Sequence, residues 1–304
     1  MIYAPVIVFG FNRPDLLSSA LESLGDCREA RDSDLFVFID GPRKNDITNE
    51  ECDSMKTAQS AKIAESVTEG RFKSVTIHTS SANKGLAKSV ISGVSEIIRK
   101  YGRVIVVEDD LKVLPNFLTF MNLGLEKYAA DKEVYSICGY TNKVKIPQGY
   151  PYDAYFAPRS SSWGWGTWKD RWEGVDWSFD RWDSWKKERR GFCRWGGSDC
   201  FSMLEACKEG RNSSWAIRFC FNQYLNKGLS LFPAHTLVTN EGFDGSGTNC
   251  RRWSRFRYEE EDREKAEFRL PDKVEENRRI IKSALSYHGI MIRIKSKIMY
   301  QIYN

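Results

Sequence analysis

Four short segments with the pattern of strands, three of them mainly apolar, alternate with segments of helical periodicity in the first third of the chain, and this alternation limits the possible folds more than any other feature. The segments cover residues 4–11, 35–39, 74–78 and 103–107. Continuous apolar runs such as the first, second and last are typical of strands buried on both faces of a sheet. Strands that alternate with helices build a mostly parallel sheet with helices on both sides. We therefore expect an α/β fold.

Polar side chains follow each of these predicted strands. They are residues 12–13, 40–41, 83–84 and 108–110. In open α/β sheets, ligands bind outside the carboxyl ends of the strands. Four polar clusters at four strand ends therefore indicate a ligand-binding edge, because folding alone does not require them there.

The acidic triplet Glu108, Asp109 and Asp110, called the acid trio below, is the most informative of these clusters. Three adjacent carboxylates repel one another and cost stability. Hard divalent cations bind carboxylate and phosphate oxygens, so the trio is a predicted cation site. The alternative is a solvated turn whose acids cap a helix. Arg13 or Lys84 would add a second positive contact to an anionic ligand there; the alternative for each is an ordinary surface cation.

The acid trio, placed after three β/α units, resembles the D-x-D motif of nucleotide-sugar glycosyltransferases of the GT-A fold. The closest resemblance is to the N-acetylglucosaminyltransferase I-like family and its bacterial relatives in polysaccharide synthesis, and it covers residues 4–250. It implies a GT-A-like, Rossmann-like mixed sheet, mostly parallel and flanked by helices. It also implies metal-dependent, inverting transfer of a sugar from a UDP-linked donor to a hydroxyl of a growing glycan or lipid-linked oligosaccharide in bacterial surface polysaccharide synthesis.

The resemblance also implies roles for single residues. In that family the last acid binds Mn²⁺ or Mg²⁺ on the donor diphosphate, which makes Asp110 the implied metal ligand, while Glu108 and Asp109 face the donor. The other implied donor contacts are Phe9, Phe11, Asn12 and Arg13 after the first strand, Asp40 as the acid that hydrogen-bonds the base, and Asn83 and Lys84 in an N-x-G loop.

Tryptophan is concentrated in one segment: eight of the ten lie between residues 163 and 195. A pyranose ring offers C–H groups to an aromatic face, and Gly between Trp residues lets the backbone approach a ligand. We predict that Trp163 and Trp165, in a segment that resembles the family's G-x-G-W, line the donor-sugar pocket. Trp168 and Trp172, four residues apart, are predicted core residues.

An inverting transfer needs a general base for the acceptor hydroxyl. Asp199, at the start of a predicted helix, resembles the acid that serves as base in many such enzymes. Its alternative is a first-turn acid behind a Ser198 N-cap. Asp183 lies in Trp-Asp-Ser-Trp, which resembles the Trp-Asp-Asp-Trp of the eukaryotic family, but Ser184 replaces one acid. We rank Asp199 slightly ahead.

Residues 240–249 form a loop rich in Gly and hydroxyl groups. Backbone N–H groups of such loops bind phosphate, and loops of this kind close over a bound substrate. We predict that Asp244, Ser246 and Thr248 belong to a phosphate loop; the alternative is a surface turn.

The excess positive charge lies at the end of the chain. Residues 251–304 hold 14 basic and 9 acidic side chains, which accounts for the whole net charge of +5. The neutral remainder argues against nucleic-acid binding, which needs a basic face. The tail 278–304 has the pattern of a basic amphipathic helix, so we predict contact with an anionic membrane; the alternative is a helix packed on the body. The pattern combines Met291, Ile294, Ile298 and Ile302 with Arg293, Lys295 and Lys297.

The eight Cys include no C-x-x-C pair and the chain has three His, so no zinc site is expected and the thiols are predicted to be reduced. The chain has neither an apolar run of about 18 residues nor a recognisable signal peptide. We therefore expect a cytoplasmic protein, peripheral on the inner face of the plasma membrane where the tail binds it.

The expected organisation is a catalytic domain over residues 1–250 and a charged helical extension over 251–304. Within the domain, 1–110 is the predicted nucleotide-binding half and 111–250 the acceptor-side half. One alternative function is a sugar-nucleotide nucleotidyltransferase, but the segment after the first strand lacks the usual Gly-rich basic loop. The other is a non-catalytic sugar-binding protein, which explains the tryptophans but not the acid trio.

Overall fold

The computed structural model describes residues 2–44, 47–244, 256 and 267–303. Strands and helices alternate through the first 110 residues, as the sequence predicts. The strands are β1 Val6–Gly10, β2 Asp34–Ile39, β3 Ser74–Thr79, β4 Arg103–Glu108, β5 Leu111–Val113, β6 Val134–Cys138, β7 Ala154–Ala157, β8 Trp165–Trp168, β9 Leu229–Pro233 and β10 Val238–Asn240. The helices are α1 Pro14–Gly25, α2 Ile47–Thr68, α3 Leu86–Tyr101, α4 Phe117–Lys127, α5 Lys169–Glu173, α6 Trp182–Trp185, α7 Arg189–Gly196, α8 Cys200–Lys208, α9 Trp215–Leu225, α10 Arg278–Ser286 and α11 Ile290–Tyr303.

The main sheet has the order β3-β2-β1-β4-β8-β6-β9-β7, and β5 pairs with β10 in a small second sheet. Strands β3, β2, β1 and β4 are parallel; β8 is antiparallel to both its neighbours, and β7 is antiparallel to β9. The predicted α/β class, with a mixed and mostly parallel sheet flanked by helices, is confirmed.

The order of the first four strands explains where a ligand can bind. After β1 the chain builds the sheet on one side with β2 and β3, and then returns to add β4 on the other side of β1. The strand order therefore reverses between β1 and β4, and ligands of doubly wound sheets bind at the carboxyl ends of the strands at such a switch point. Two hydrogen bonds hold neighbouring strand ends together there: the Asp40 N–H to the Gly10 carbonyl and the Asp109 N–H to the Phe9 carbonyl, each 2.9 Å.

Separate apolar cores cover the two faces of the sheet. One packs α1 and α4 against the sheet, with Leu21 and Phe120 completely buried. The other packs α3 and α9, with Val94 and Phe219. Helix α3 presents its apolar residues at helical spacing and ends at Gly102, whose φ of +78° gives the left-handed cap that favours glycine.

Two residues with a predicted role in donor binding are core residues. Phe9 is 3% exposed and stacks on Phe38 at 5.4 Å between ring centroids. Trp165 is 1% exposed and stacks on Trp215 at 4.6 Å. Alternate side chains of a strand point to opposite faces of the sheet. Phe9 of β1 and Trp165 of β8 both point to the face that α3 and α9 cover. Both side chains are therefore covered in this structure, and their contact with a donor stays a prediction.

The described part of the C-terminal segment packs on the body. Leu270 joins the larger core, and Ile280 of α10 is completely buried against Tyr155 and Ala157 of β7. A parallel bridge joins Glu276 to Phe156. Among the described helices there is none with the length and apolar character needed to cross a membrane.

Replacing Trp165 tests its assignment to the core. We expect Trp165→Ala to lower the free energy of unfolding by about 3–5 kcal/mol, because it leaves a cavity between stacked rings. Urea unfolding followed by circular dichroism measures this change. The matched control is Trp163→Ala, at a half-buried ring two residues away, and we expect a clearly smaller loss. Equal losses would contradict the assignment.

Candidate active site

An ion cluster spans the switch point between β1 and β4. Arg13 lies at the start of α1, directly after the β1 loop, and the acid trio begins at the last residue of β4. The Arg13 guanidinium is ion-paired with Asp109, and its Nη1 lies 3.0 Å from Oδ2 of Asp110. The two carboxylates are almost buried, at 4% and 9% exposure, whereas the Arg13 side chain is 20% exposed.

Negative charge exceeds positive charge in this cluster. Burial and the neighbouring Asp110 and Asp109 raise the pKa of Glu108 to about 8. Burial also raises the pKa of Asp109 to about 6, although Arg13 opposes that shift. Burial alone would lower the pKa of Arg13, but Asp109 and Asp110 outweigh it and raise the net value. Near neutral pH Glu108 is therefore mostly protonated, and the single guanidinium of Arg13 faces the two aspartates, Asp109 and Asp110.

The oxygen ligands and the uncompensated charge fit a hard divalent cation. In the described residues, however, His, Cys, Asp and Glu side chains nowhere form a group of three ready to hold a metal ion. Mg²⁺ is commonly held by one or two carboxylates together with substrate phosphates rather than by a complete protein cage. The acid trio fits a cation of that kind, shared with an oxygen-rich ligand.

The backbone after β10 closes one side of the acid trio. The Glu241 N–H donates to the Asp110 carbonyl at 2.8 Å. A Cβ at Gly242 would lie 2.5 Å from Oδ2 of Asp110, so the close approach of this backbone requires glycine. Phe243 follows and contacts Trp163, with 5.9 Å between ring centroids. The acid trio is thus connected by direct contacts to the Trp163 region.

The predicted contacts Phe11 and Asn12 lie beside the acid trio, in the loop after β1. The Phe11 N–H donates to Oδ2 of Asp109 at 3.4 Å, and the Phe11 ring is partly exposed. The Asn12 amide donates to Asp53 of α2 at 2.6 Å. Arg43, from the loop after β2, places its guanidinium carbon 5.3 Å from the centroid of the Phe11 ring. The loops after β1 and β2 therefore meet at this point.

Asp40 and Asn83 hold the loop that leads into α3. Asp40 is buried and accepts hydrogen bonds from the backbone N–H groups of Gly41, Lys84 and Gly85 at 2.9–3.1 Å. The Asn83 amide donates to the Gly41 carbonyl at 3.0 Å. The Lys84 side chain is exposed. A contact between Asp40 and a nucleobase stays a prediction, since backbone amides already occupy its carboxylate here.

A cavity of about 210 Å³ lies next to Trp163. Its wall combines aromatic rings with hydroxyl, amide and guanidinium groups, a composition typical of sites that orient a small polar ligand. Trp163 is half-buried and packs its ring against Tyr140 at 4.5 Å. The other polar lining residues include Thr141, Asn142, Arg159, Ser160, Ser161 and Ser162.

The two candidate bases have different surroundings. Asp199 is buried beside this cavity and forms a two-pronged ion pair with Arg159, at 3.0 and 3.1 Å. Burial favours the protonated acid, but Arg159 outweighs it and holds the pKa of Asp199 below its usual value. Asp183 is 95% exposed on the short helix α6, where Lys186 lies 3.1 Å away. Which of them acts as a base stays a prediction.

The predicted phosphate loop is described only at its start. Asp244 ends the short 3₁₀ helix Gly242–Asp244, and Ser246 and Thr248 lie outside the described residues.

Sequence reasoning missed Arg43, Asp53 and Arg159. Arg43 had a local signal, because it follows Asp-Gly-Pro at the end of a strand. Asp53 and Arg159 had none. Arg159 has a φ of +67°, which is rare for a residue with a side chain and often marks a constrained functional segment.

No family model and no curated protein matches this chain in sequence. Among solved structures, S. aureus TarS is similar at a TM-score of 0.35 and 15% identity, over 50% of this chain and 24% of that one. Glucosyl-3-phosphoglycerate synthase from Mycobacterium tuberculosis, in complex with phosphoglyceric acid, is similar at a TM-score of 0.35 and 10% identity, over 57% of this chain and 59% of that one. The structure of the same enzyme with Mg²⁺ and uridine diphosphate is similar at a TM-score of 0.32 and 10% identity, over the same shares of the two chains. This chain spans 24% to 59% of the length of those structures, and similarity this low carries no argument about its function.

The Arg159–Asp199 pair generates a stability prediction. We expect Asp199→Asn to lower the free energy of unfolding by about 3–5 kcal/mol near neutral pH, because it leaves a buried guanidinium without its counter-charge. A carboxyl with a lowered folded pKa stabilises the protein above its unfolded pKa of about 3.9, and this stabilisation disappears as the pH falls through the folded pKa. Urea unfolding at several pH values measures the difference, which should shrink in acid. Asp183→Asn, at an exposed carboxylate, is the control; a difference independent of pH would contradict the pairing.

Proposed function

We propose that this protein is a metal-dependent glycosyltransferase that moves a sugar from a nucleotide-sugar donor, UDP-linked, to a hydroxyl of a growing glycan. The observation that carries the proposal is the ion cluster: an acid trio with uncompensated negative charge at the switch point of a doubly wound sheet. A fold needs no such cluster there, whereas binding a nucleotide diphosphate through a cation does. The resemblance of the trio and its context to the GT-A family supports the same reaction.

The donor diphosphate is proposed to bind at the acid trio. Asp110, with Glu108 and Asp109 beside it, would hold Mn²⁺ or Mg²⁺. The bound cation would supply the positive charge that stabilises the departing diphosphate. Arg13 pairs with the carboxylates of Asp109 and Asp110 and adds positive charge beside them. Backbone N–H groups near Asp244, Ser246 and Thr248 would close over the phosphates.

The sugar and the acceptor are proposed to meet in the cavity beside Trp163. This ring is connected to the acid trio through Phe243 and the Gly242 backbone. An acceptor hydroxyl there must lose a proton in an inverting transfer. Asp199 lies beside the cavity, but Arg159 occupies both of its oxygens; Asp183 has a freer carboxylate on an exposed helix. Both stay candidate bases.

The non-catalytic sugar-binding alternative explains this cavity, because aromatic and hydroxyl groups line it. It gives no role to the acid trio or to Arg13. Donor hydrolysis in the absence of an acceptor would separate the two functions, because a sugar-binding protein would leave the donor intact.

The tail is proposed to hold the protein against the anionic inner face of the plasma membrane. Helix α11 exposes Ile290, Met291, Ile294 and Ile298 by 51% to 79%. Residues 277–304 contain six Lys or Arg and no Asp or Glu. Exposed apolar side chains together with uncompensated basic charge are what an interfacial helix presents to anionic lipid.

A panel of UDP-, GDP-, CDP- and ADP-sugars tests the donor site. We expect one UDP-sugar to raise the melting temperature in the presence of Mn²⁺ and to be slowly hydrolysed, because a ligand that binds only the folded state stabilises it. Asp110→Asn should remove the part of the shift that depends on metal. Asp15→Asn, an exposed acid in the first turn of α1, is the matched control and should keep the full shift. A shift that is identical with and without metal would overturn the proposed cation site.

Vesicle sedimentation tests the membrane contact. We expect wild-type protein to bind phosphatidylcholine vesicles that contain phosphatidylglycerol, and to bind them less well in high salt, which screens the basic charge. Replacing both Ile294 and Ile298 by Glu should abolish binding. Met55→Glu, at a Met that is 72% exposed elsewhere on the surface, is the control. Unchanged binding of the Ile294/Ile298 variant would reject the membrane role.

A further inference from the structure

Helix α2 lies over the loop after β1 and holds it with two polar side chains. Asp53 and Ser60 are seven residues apart and therefore lie on one face of the helix. The Ser60 hydroxyl donates to the Phe11 carbonyl at 3.2 Å, and the Asn12 amide donates to the Asp53 carboxylate at 2.6 Å. Asp53 is 2% exposed, so this carboxylate is removed from water.

Asp53 also binds the loop after β2. Its carboxylate accepts hydrogen bonds from Nε of Arg43 at 2.8 Å, from Nη2 at 3.1 Å and from the Arg43 backbone N–H at 3.3 Å. The hydrogen bonds from Arg43 lower the pKa of Asp53, which agrees with a carboxylate that stays charged in this pairing. A single buried acid thus joins the loops that leave β1 and β2.

The pairing determines where the Arg43 guanidinium lies. Its carbon is 5.3 Å from the centroid of the Phe11 ring, and the Arg43 side chain is 49% exposed. The Phe11 N–H in turn contacts Asp109 of the acid trio. A half-exposed guanidinium therefore lies over a partly exposed aromatic ring, and both are beside the proposed diphosphate site.

Charge balance indicates what this pair can bind. Asp53 already offsets the charge of Arg43, so the pair offers little attraction to a phosphate. A guanidinium held in a plane by a two-pronged carboxylate is, however, a good stacking surface for a flat aromatic ring. Proteins stack nucleobases on arginine planes and on Phe rings in this way.

We propose that Asp53 is a positioning residue which holds Arg43 on the Phe11 ring, and that this pair is the wall against which the base of a nucleoside diphosphate stacks. The proposal rests on the nucleotide-binding function proposed above and names the residues that recognise the base. Neither Arg43 nor Asp53 is expected to contact the sugar or the cation.

Isothermal titration in Mn²⁺ with two probes, UDP and inorganic pyrophosphate, tests the wall. Arg43→Ala and Phe11→Leu should each raise the Kd for UDP about tenfold, the scale of one lost base-stacking contact, and leave the Kd for pyrophosphate within about twofold. Lys44→Ala, at the neighbouring exposed cation, is the matched control and should change neither. Melting temperatures of all variants confirm that they fold.

The positioning role of Asp53 has its own readout. Asp53→Asn should weaken the binding of UDP but not that of pyrophosphate, as Arg43→Ala does. The double variant Asp53→Asn/Arg43→Ala should bind UDP no more weakly than Arg43→Ala alone. If Asp53→Asn fails to fold, Asp53→Glu carries the same test, because the longer acid keeps the charge but moves the carboxylate away from the position at which it pairs with Arg43 in two places.

The possible failures are distinguishable. If wild-type protein binds none of UDP, GDP, CDP and ADP, the proposed function and this inference fall together. If wild-type protein binds UDP and Arg43→Ala keeps its affinity, the wall is overturned while the proposed function stands. Equal weakening of UDP and pyrophosphate would make Arg43 a phosphate contact and overturn stacking. Full UDP affinity in Asp53→Asn would overturn the positioning role alone.

Discussion

The attraction between Arg13 and the carboxylates of Asp109 and Asp110 connects the two halves of the switch point. The sheet order brings the ends of β1 and β4 side by side, and without a cation of some kind three acids at one strand end would repel each other and open that edge. Arg13 lowers this repulsion only in part, because it brings one positive charge to a group of three acids. The protein alone therefore keeps the edge closed while leaving charge for a ligand to compensate.

The backbone architecture could be predicted because it depends on local pattern. Residues 4–11 and 103–107 read as buried strands, and β1 and β4 lie within or over them. The residue that follows a strand is known once the strand is known, so Arg13 and the acid trio could be assigned to the ligand-binding edge. Their mutual ion pair could not, because nothing in a single sequence shows that two loops nearly a hundred residues apart approach within hydrogen-bond distance.

Side-chain roles were predicted less well because they depend on which face of a strand a residue occupies. Trp163 and Trp165 belong to one Gly-rich segment, yet Trp163 borders a cavity and Trp165 is sealed among other rings. The tryptophan cluster as a whole indicated a sugar site, but the sequence did not show which of its rings would be exposed to a ligand and which would be buried. Asp199 shows a similar limit: its position before a helix was visible, but Arg159, which neutralises it, is distant in sequence and has no motif.

One wall of the cavity is formed by residues directly before α11, and this relates the two proposals. Leu285 and His288 line the cavity, and α11 begins two residues after His288. Two residues span about 7 Å, so a membrane that receives the exposed face of α11 also lies close to that wall of the cavity. An acceptor carried by the membrane would then reach the cavity without leaving the lipid surface, whereas a free glycan would gain nothing from α11. If α11 binds the membrane as proposed, the lipid-linked oligosaccharide is the acceptor that we propose among those that the sequence leaves open.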